Sequence, residues 1–162
     1  KPLVDHALDA LRAVPAVERI VLVLGSGAEA VGSGASLSGV ETVLAEDWEE
    51  GIAASLRAGI AAVADVDAAV VVLADQPGVT AEAVEAVLER LAGSNPAARA
   101  TYGGVPGHPV AFRHELFAEI AGLTGDLGAR DLLERHGVEA VECSGLAHAD
   151  DVDTPADLDR LR

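Results

Sequence analysis

Ala69-Val70-Val71-Val72-Leu73, running directly into Ala74-Asp75-Gln76-Pro77-Gly78, carries the strongest structural signal in the chain. Five aliphatic residues in a row are too few for a helix and suit a strand buried on both faces. Strands of that kind are central members of parallel sheets covered by helices on each side. The Pro77-Gly78 pair then stops the strand and turns the chain, which leaves Asp75 two residues past the strand end. In open parallel sheets ligands bind beyond the carboxyl ends of the strands, so Asp75 is expected at an active edge.

Working outward, the flanking segments change to helical period. Upstream, Trp48–Val63 places Ile52, Leu56, Ile60 and Val63 on one face, and downstream Thr80 caps a helix reaching Leu91. Further upstream lie a helix from Pro2 to Arg12, a strand at Ile20–Leu24, a Gly/Ser/Ala-rich stretch from Gly25 to Gly39 with room for a short helix, and a weaker strand at Val40–Leu44. Further downstream, Ala98–Tyr102 and Pro109–Phe112 read as short strands around a Gly/Pro loop. Asp126 can cap a helix that runs to His136 and stops at Gly137. Val138–Cys143 is a last strand, and Thr154-Pro155-Ala156-Asp157 has the signature of a final helix start. Strands alternating with helices predict an α/β fold of three layers, α/β/α, with a Rossmann-like, mostly parallel sheet. No linker or repeat divides it, so residues 1–162 are read as one domain.

Composition narrows the function. The 162 residues are 50% hydrophobic, enough for one sizeable core, and carry a formal charge of −16. That charge argues against binding nucleic acid or anionic membranes, both of which need a basic surface. Cys143 is the single cysteine, so an internal disulfide is impossible and a reducing cytoplasm is expected. The chain has no methionine, and of its 11 basic side chains only Lys1 is a lysine. A binder of polyphosphates built this way must rely on metal ions, helix N-termini and a few placed arginines.

Four constellations can carry chemistry, and each also has a plainer reading. Asp75 is placed to hold Mg²⁺, a hard cation that bridges phosphates, or it caps its own turn. Asp151 and Asp153, two apart in an extended segment, face the same way and could share that metal, or they decorate a solvated turn before a helix. Tyr102-Gly103-Gly104-Val105-Pro106-Gly107-His108-Pro109 is a stiff loop that allows close backbone approach, with His108 either seating a phosphate or simply exposed. Thr124-Gly125-Asp126-Leu127-Gly128-Ala129-Arg130 offers an anion seat with Arg130, or only an Asp–Arg pair four residues apart.

Taken in order, LADQP (Leu73–Pro77), YGGVPGHPVAF (Tyr102–Phe112), GDLGARDLL (Gly125–Leu133) and DVDTPADL (Asp151–Leu158) resemble the MobA/MocA-like nucleotidyltransferases. The match is best to the molybdenum cofactor cytidylyltransferase branch, and WEEGIAASLRAG (Trp48–Gly59) and PLVDHALDAL (Pro2–Leu11) extend it along the chain. The resemblance implies a nucleotide-diphospho-sugar transferase type of sheet. It implies transfer of a nucleotide, CMP from CTP or another from GTP, to the phosphate of molybdopterin with release of pyrophosphate. Asp75 and Asp153 would hold Mg²⁺, and with His108 form the catalytic set. Gly51 and Ser55, together with Asp75, would seat the nucleotide. Gly107, His108, Asp126, Arg130 and Asp151 would line the pterin side. A molybdenum hydroxylase is the implied recipient of the product.

Two departures stand out. The family begins with a strand and a glycine-rich phosphate loop, whereas Lys1-Pro2-Leu3 matches the residues just after that loop. The resemblance therefore predicts a domain lacking that strand, with negligible turnover in the chain as it stands and no basis for choosing cytosine or guanine. Ala45 also stands where the family usually has an asparagine. Three other readings remain: a phospholactate guanylyltransferase, a sugar-phosphate nucleotidyltransferase, and a non-catalytic molybdenum-cofactor binding or maturation module.

Overall fold

The aliphatic runs and amphipathic stripes become short strands and helices that alternate along the chain. The computed structural model describes residues 1–126, 128–148, 150–152 and 157. Helix α1 (Leu3–Arg12) leads to β1 (Val21–Leu24), α2 (Ala28–Gly34), β2 (Glu41–Leu44), α3 (Ile52–Ala62), β3 (Ala68–Val71), α4 (Ala81–Leu91), β4 (Ala97–Tyr102), β5 (Val105–Arg113), α5 (Phe117–Ile120), α6 (Arg130–His136) and β6 (Glu139–Glu142). Short 3₁₀ turns at Trp48–Glu50 and His114–Leu116 precede α3 and α5. No helix of the described residues is long and apolar enough to cross a membrane.

Strands β1 and β2 pair in parallel, Val21 opposite Glu41 and Leu24 opposite Leu44. A second group runs in the order β3-β5-β4-β6, with β5 antiparallel to both neighbours and β6 parallel to β4. The β4–β5 hairpin turns at Gly103 and Gly104, whose φ angles of 57° and 81° suit a tight two-residue turn. Their amides donate to the Glu142 carboxylate, which with Ser144 holds that carboxyl down at about 2.

Helices cover both faces, giving the expected three layers. On one face Ile60 of α3 packs with Phe112, Leu116, Ile120, Leu132 and Leu133. On the other, Ala83, Val87 and Leu91 of α4 pack on Ala98, Ala100, Ala111 and Cys143. Leu11 and Val14, at and just after the end of α1, join Val79 and Val84 beside them.

Arg19 relates the two strand groups. Its guanidinium donates to Glu41 at 3.0 and 3.1 Å, to Asp65 Oδ1 at 2.8 Å and to the Ala62 carbonyl at 3.1 Å. Arg19, just before β1, is thereby tied to the start of β2 and to the turn that leads into β3. Strands β1 and β3 do not pair with each other. A cleft of about 1550 Å³ lies between them, walled by Val21–Val23, Ala69–Val72, α1 and α3.

Several sequence expectations shift. Strand β3 ends at Val71, two residues early, because the next position on β5 is Pro109, which has no N–H for the ladder. Asp75 is therefore four residues beyond the strand. Nor is β3 a central member of its sheet group, since one edge faces the cleft. Gly51, with φ 114° and ψ −175°, breaks the Trp48–Val63 helix into a 3₁₀ turn and α3. Pro2 stands at the N-cap of α1, one position earlier than a first-turn proline. Asp126 caps no helix, because α6 starts at Arg130 behind Ala129. Thr80 does cap α4, its hydroxyl accepting from the Ala83 amide at 3.3 Å. The cap expected at Thr154–Pro155 lies outside the described residues; Asp157 is helical.

Candidate functional site

The turn after β3 is tied to the acidic segment near the end of the chain. Gln76 is buried, and its Nε2 donates to Asp151 Oδ1 at 2.7 Å. The Val152 amide donates to the Asp75 carbonyl at 2.9 Å. One step further along, His148 N–H donates to the Gly78 carbonyl at 3.2 Å, and Thr80 Oγ1 donates to Leu146 O at 2.9 Å. Gly78 has no room for a side chain, since a β-carbon there would come within 2.7 Å of the His148 carbonyl. Residues separated by 66 positions or more in the sequence are thus laced along one rim. Asp75 and Asp151 belong to this rim. Asp153 lies outside the described residues, next in the chain to Val152.

A second junction joins α3 to the Gly125–Arg130 segment. The Ala53 amide donates to the Gly125 carbonyl at 3.2 Å, and Gly51 is pressed so close that a β-carbon would fall 2.1 Å from Asp126 Oδ1. Arg57 clamps the same corner, donating to Leu123 O at 2.6 Å and to Glu50 at 3.1 Å. Ser55, one turn into α3, lines the cleft together with Asp126 and Arg130. The residues expected on the nucleotide side and on the acceptor side therefore meet here.

The third part lies on the sheet. Gly107 and His108 sit within β5, which begins at Val105 and absorbs most of the expected loop. The His108–Pro109 peptide is cis, and the Tyr102 hydroxyl donates to the His108 carbonyl at 2.7 Å. Burial pushes the Tyr102 phenol up to about 12. His108 lines the cleft and is held down at about 4, chiefly by burial and then by the Arg99 charge, with Asp151 opposing. It is a neutral imidazole at neutral pH.

Arg99 was not singled out by the sequence reading. It faces the cleft from β4, opposite Val110 in the register, on the side of the sheet that carries His108. The available signal was its position: a charged residue inside a strand whose neighbours Ala97, Ala98 and Ala100 are fully buried.

A divalent cation can be tested against this rim. Mg²⁺ is commonly held by one or two carboxylates plus substrate phosphates, so a pair such as Asp75 and Asp151 fits that chemistry. Among the described residues, no group of three or more His, Cys, Asp or Glu side chains is arranged to hold a metal by itself.

The three-layer α/β/α fold is the one typical of nucleotidyltransferases. This chain belongs to the MobA-like NTP transferase domain family, whose pattern matches residues 1–141. Rv0371c from Mycobacterium tuberculosis H37Rv is 32% identical, with a TM-score of 0.84 over 98% of this chain and 83% of that one. The same protein solved as a complex with manganese superposes with a TM-score of 0.82 at 30% identity over 98% of this chain and 84% of that one. Among curated relatives, nicotine blue oxidoreductase of Paenarthrobacter nicotinovorans is 31% identical over 99% of this chain and 83% of its own length. Purine catabolism protein PucB of Bacillus subtilis (strain 168) is 33% identical over 72% of this chain and 58% of its own length.

Proposed function

We propose that this nucleotidyltransferase joins a nucleotide, CMP from CTP or its guanine counterpart from GTP, to the phosphate of molybdopterin and releases pyrophosphate. The observation that carries the reading is spatial: motifs far apart in sequence converge on one rim and one cleft. Gln76 binds Asp151, Val152 binds Asp75, Gly51 abuts Asp126, and His108 and Arg130 face the same opening.

The nucleophile in this reaction is already an anionic phosphate, so the protein needs no general base. Its work is alignment and neutralisation of charge. Asp75, with Asp151 and Asp153, would hold Mg²⁺, which supplies charge neutralisation at the transferred phosphate when bound. The manganese complex of Rv0371c supports divalent-metal chemistry in a relative. Gly51 and Ser55 seat the nucleotide, and Gly107, His108, Asp126 and Arg130 line the acceptor side. A neutral His108 acts as an orienting hydrogen-bond partner for a phosphate. The partners in this reading are a nucleoside triphosphate, molybdopterin and a molybdenum hydroxylase that receives the product.

The test is an acceptor screen on the full-length polypeptide, reading pyrophosphate release with each triphosphate, Mg²⁺ and molybdopterin, phospholactate or a sugar phosphate. Release with molybdopterin, lost in Asp75→Ala, supports the reading. Release only with another acceptor changes the substrate. Pyrophosphate release with none of these acceptors overturns it.

A further inference from the structure

Arg99 is half-buried, and among the described residues no hydrogen bond anchors its buried Nε. Two other half-buried arginines spend their guanidinium groups on backbone carbonyls: Arg57 on Leu123, and Arg113 on Leu91 and Gly93. The Nε of Arg99 is buried and makes no hydrogen bond among the described residues. Leaving such a donor unmatched is costly, and leaving it on a cation more so. Arg130 lines the same cleft, and burial, then the Arg130 charge, lower the Arg99 pKa from its usual value. Arg130 is mostly exposed and, among the described residues, pairs with Glu134 at 3.3 Å. In a chain of formal charge −16, Arg99 and Arg130 both face one cleft, where Glu134 pairs with Arg130 and Asp126 also lines the wall.

The strand register explains how they meet. Arg99 lies opposite Val110 on antiparallel β5, and His108, two residues from Val110, presents its side chain to the same face. Arg130 opens α6, which covers that face through Leu132 and Leu133. Three nitrogen-bearing side chains from β4, β5 and α6 thus converge.

We infer that Arg99, together with His108 and Arg130, forms a seat for a phosphate group of a substrate, Arg99 supplying the buried, planar donor set. Guanidinium donors match phosphate oxygens two at a time, which a lysine cannot reproduce. The inference rests on the proposed phosphoryl chemistry and adds a residue to it. The phosphate could belong to a phosphomonoester acceptor or to the polyphosphate of the triphosphate.

The experiment follows the His108 imidazole by NMR during titration with inorganic phosphate. It uses the wild-type protein, Arg99→Gln, Arg99→Lys and, as a surface control, Arg90→Gln. Saturable binding is expected, with a rise in the His108 pKa as an anion arrives beside it. Arg99→Gln should weaken the affinity about tenfold or more, the loss of one charge-assisted contact. Arg99→Lys should recover part of it, and Arg90→Gln should match wild type. Unsaturable shifts, or equal affinity in wild type and Arg99→Gln with both shown folded by their amide spectra, overturn the seat. If Arg99→Gln does not fold, the comparison rests on Arg99→Lys, and equal phosphate affinity there also overturns it. Competition by phenyl phosphate assigns the seat to the acceptor, and competition by CTP alone assigns it to the triphosphate. Phosphate binding without nucleotidyl transfer removes the proposed reaction and leaves the seat. Transfer with an Arg99→Gln variant of unchanged affinity does the reverse.

Discussion

Replacing Gly51 by alanine strains the junction between α3 and the Gly125–Arg130 segment in two separable ways. The backbone at Gly51 has φ 114° and ψ −175°, a region essentially confined to glycine. Holding alanine there costs about 1–3 kcal/mol before any contact is considered. The new β-carbon would also lie 2.1 Å from Asp126 Oδ1 and 2.8 Å from the Gly125 carbonyl oxygen. The carboxylate can swing away, but the Gly125 backbone carries the hydrogen bond from Ala53 and cannot retreat without breaking it. Together these give a loss of about 3 kcal/mol or more, a large effect for one methyl group. Gly39 is the matched control, with φ 72° and nothing within 4 Å of an added β-carbon. Its alanine variant should lose only about 1 kcal/mol, the cost of the left-handed backbone. Urea unfolding of both variants measures the difference. Adding Asp126→Ala to Gly51→Ala should restore part of the loss and no more, because the clash with the Gly125 carbonyl remains. Equal destabilisation of the Gly51 and Gly39 variants would refute the packing described for this corner.

Other outcomes follow from the same geometry. His108 is held at about 4 in the fold against 6.5 as its ordinary value, so the unfolded chain binds the proton more readily. Its contribution to stability is full above pH 6.5 and is lost as pH falls toward 4; between pH 7 and 5 the wild type should lose roughly 1–2 kcal/mol that His108→Asn does not lose, as read by urea midpoints at each pH. Thr80→Ala removes both the cap on the Ala83 amide and the bond to Leu146 O, and should cost about 1–2 kcal/mol in the same assay. Cys143 is fully buried and its thiol is pushed up by burial and by Glu142, so it should resist Ellman's reagent in the native protein and react at once in urea.

The alternation of strands and helices was legible because each element carries its own period and punctuation. Thr80 and Gly137 mark where α4 begins and α6 ends, and the three-layer fold follows from the order alone. The boundary of β3 was not legible from its own residues, since it is set by Pro109 on a strand nearly forty residues away. Helix α5 is a single turn in which only Phe117 and Ile120 are buried, too short to display a period. Asp126 reads locally as a cap, yet α6 begins only at Arg130 behind Ala129, and the carboxylate rests against Gly51 instead. Within the site, the motifs rich in glycine and aspartate announce themselves because those residues are rare inside regular elements. Arg99 does not, because a lone arginine among alanines looks like the exposed face of an edge strand until the register puts it beside His108.

Transfer of label from the triphosphate follows the proposed reaction itself. The full-length polypeptide is incubated with Mg²⁺, molybdopterin and CTP or GTP labelled either at the α- or at the γ-phosphorus, and the products are separated. The α-label is expected to move with the pterin and the γ-label to leave as pyrophosphate. Label from the γ-position on the pterin, or label from neither position, would contradict it.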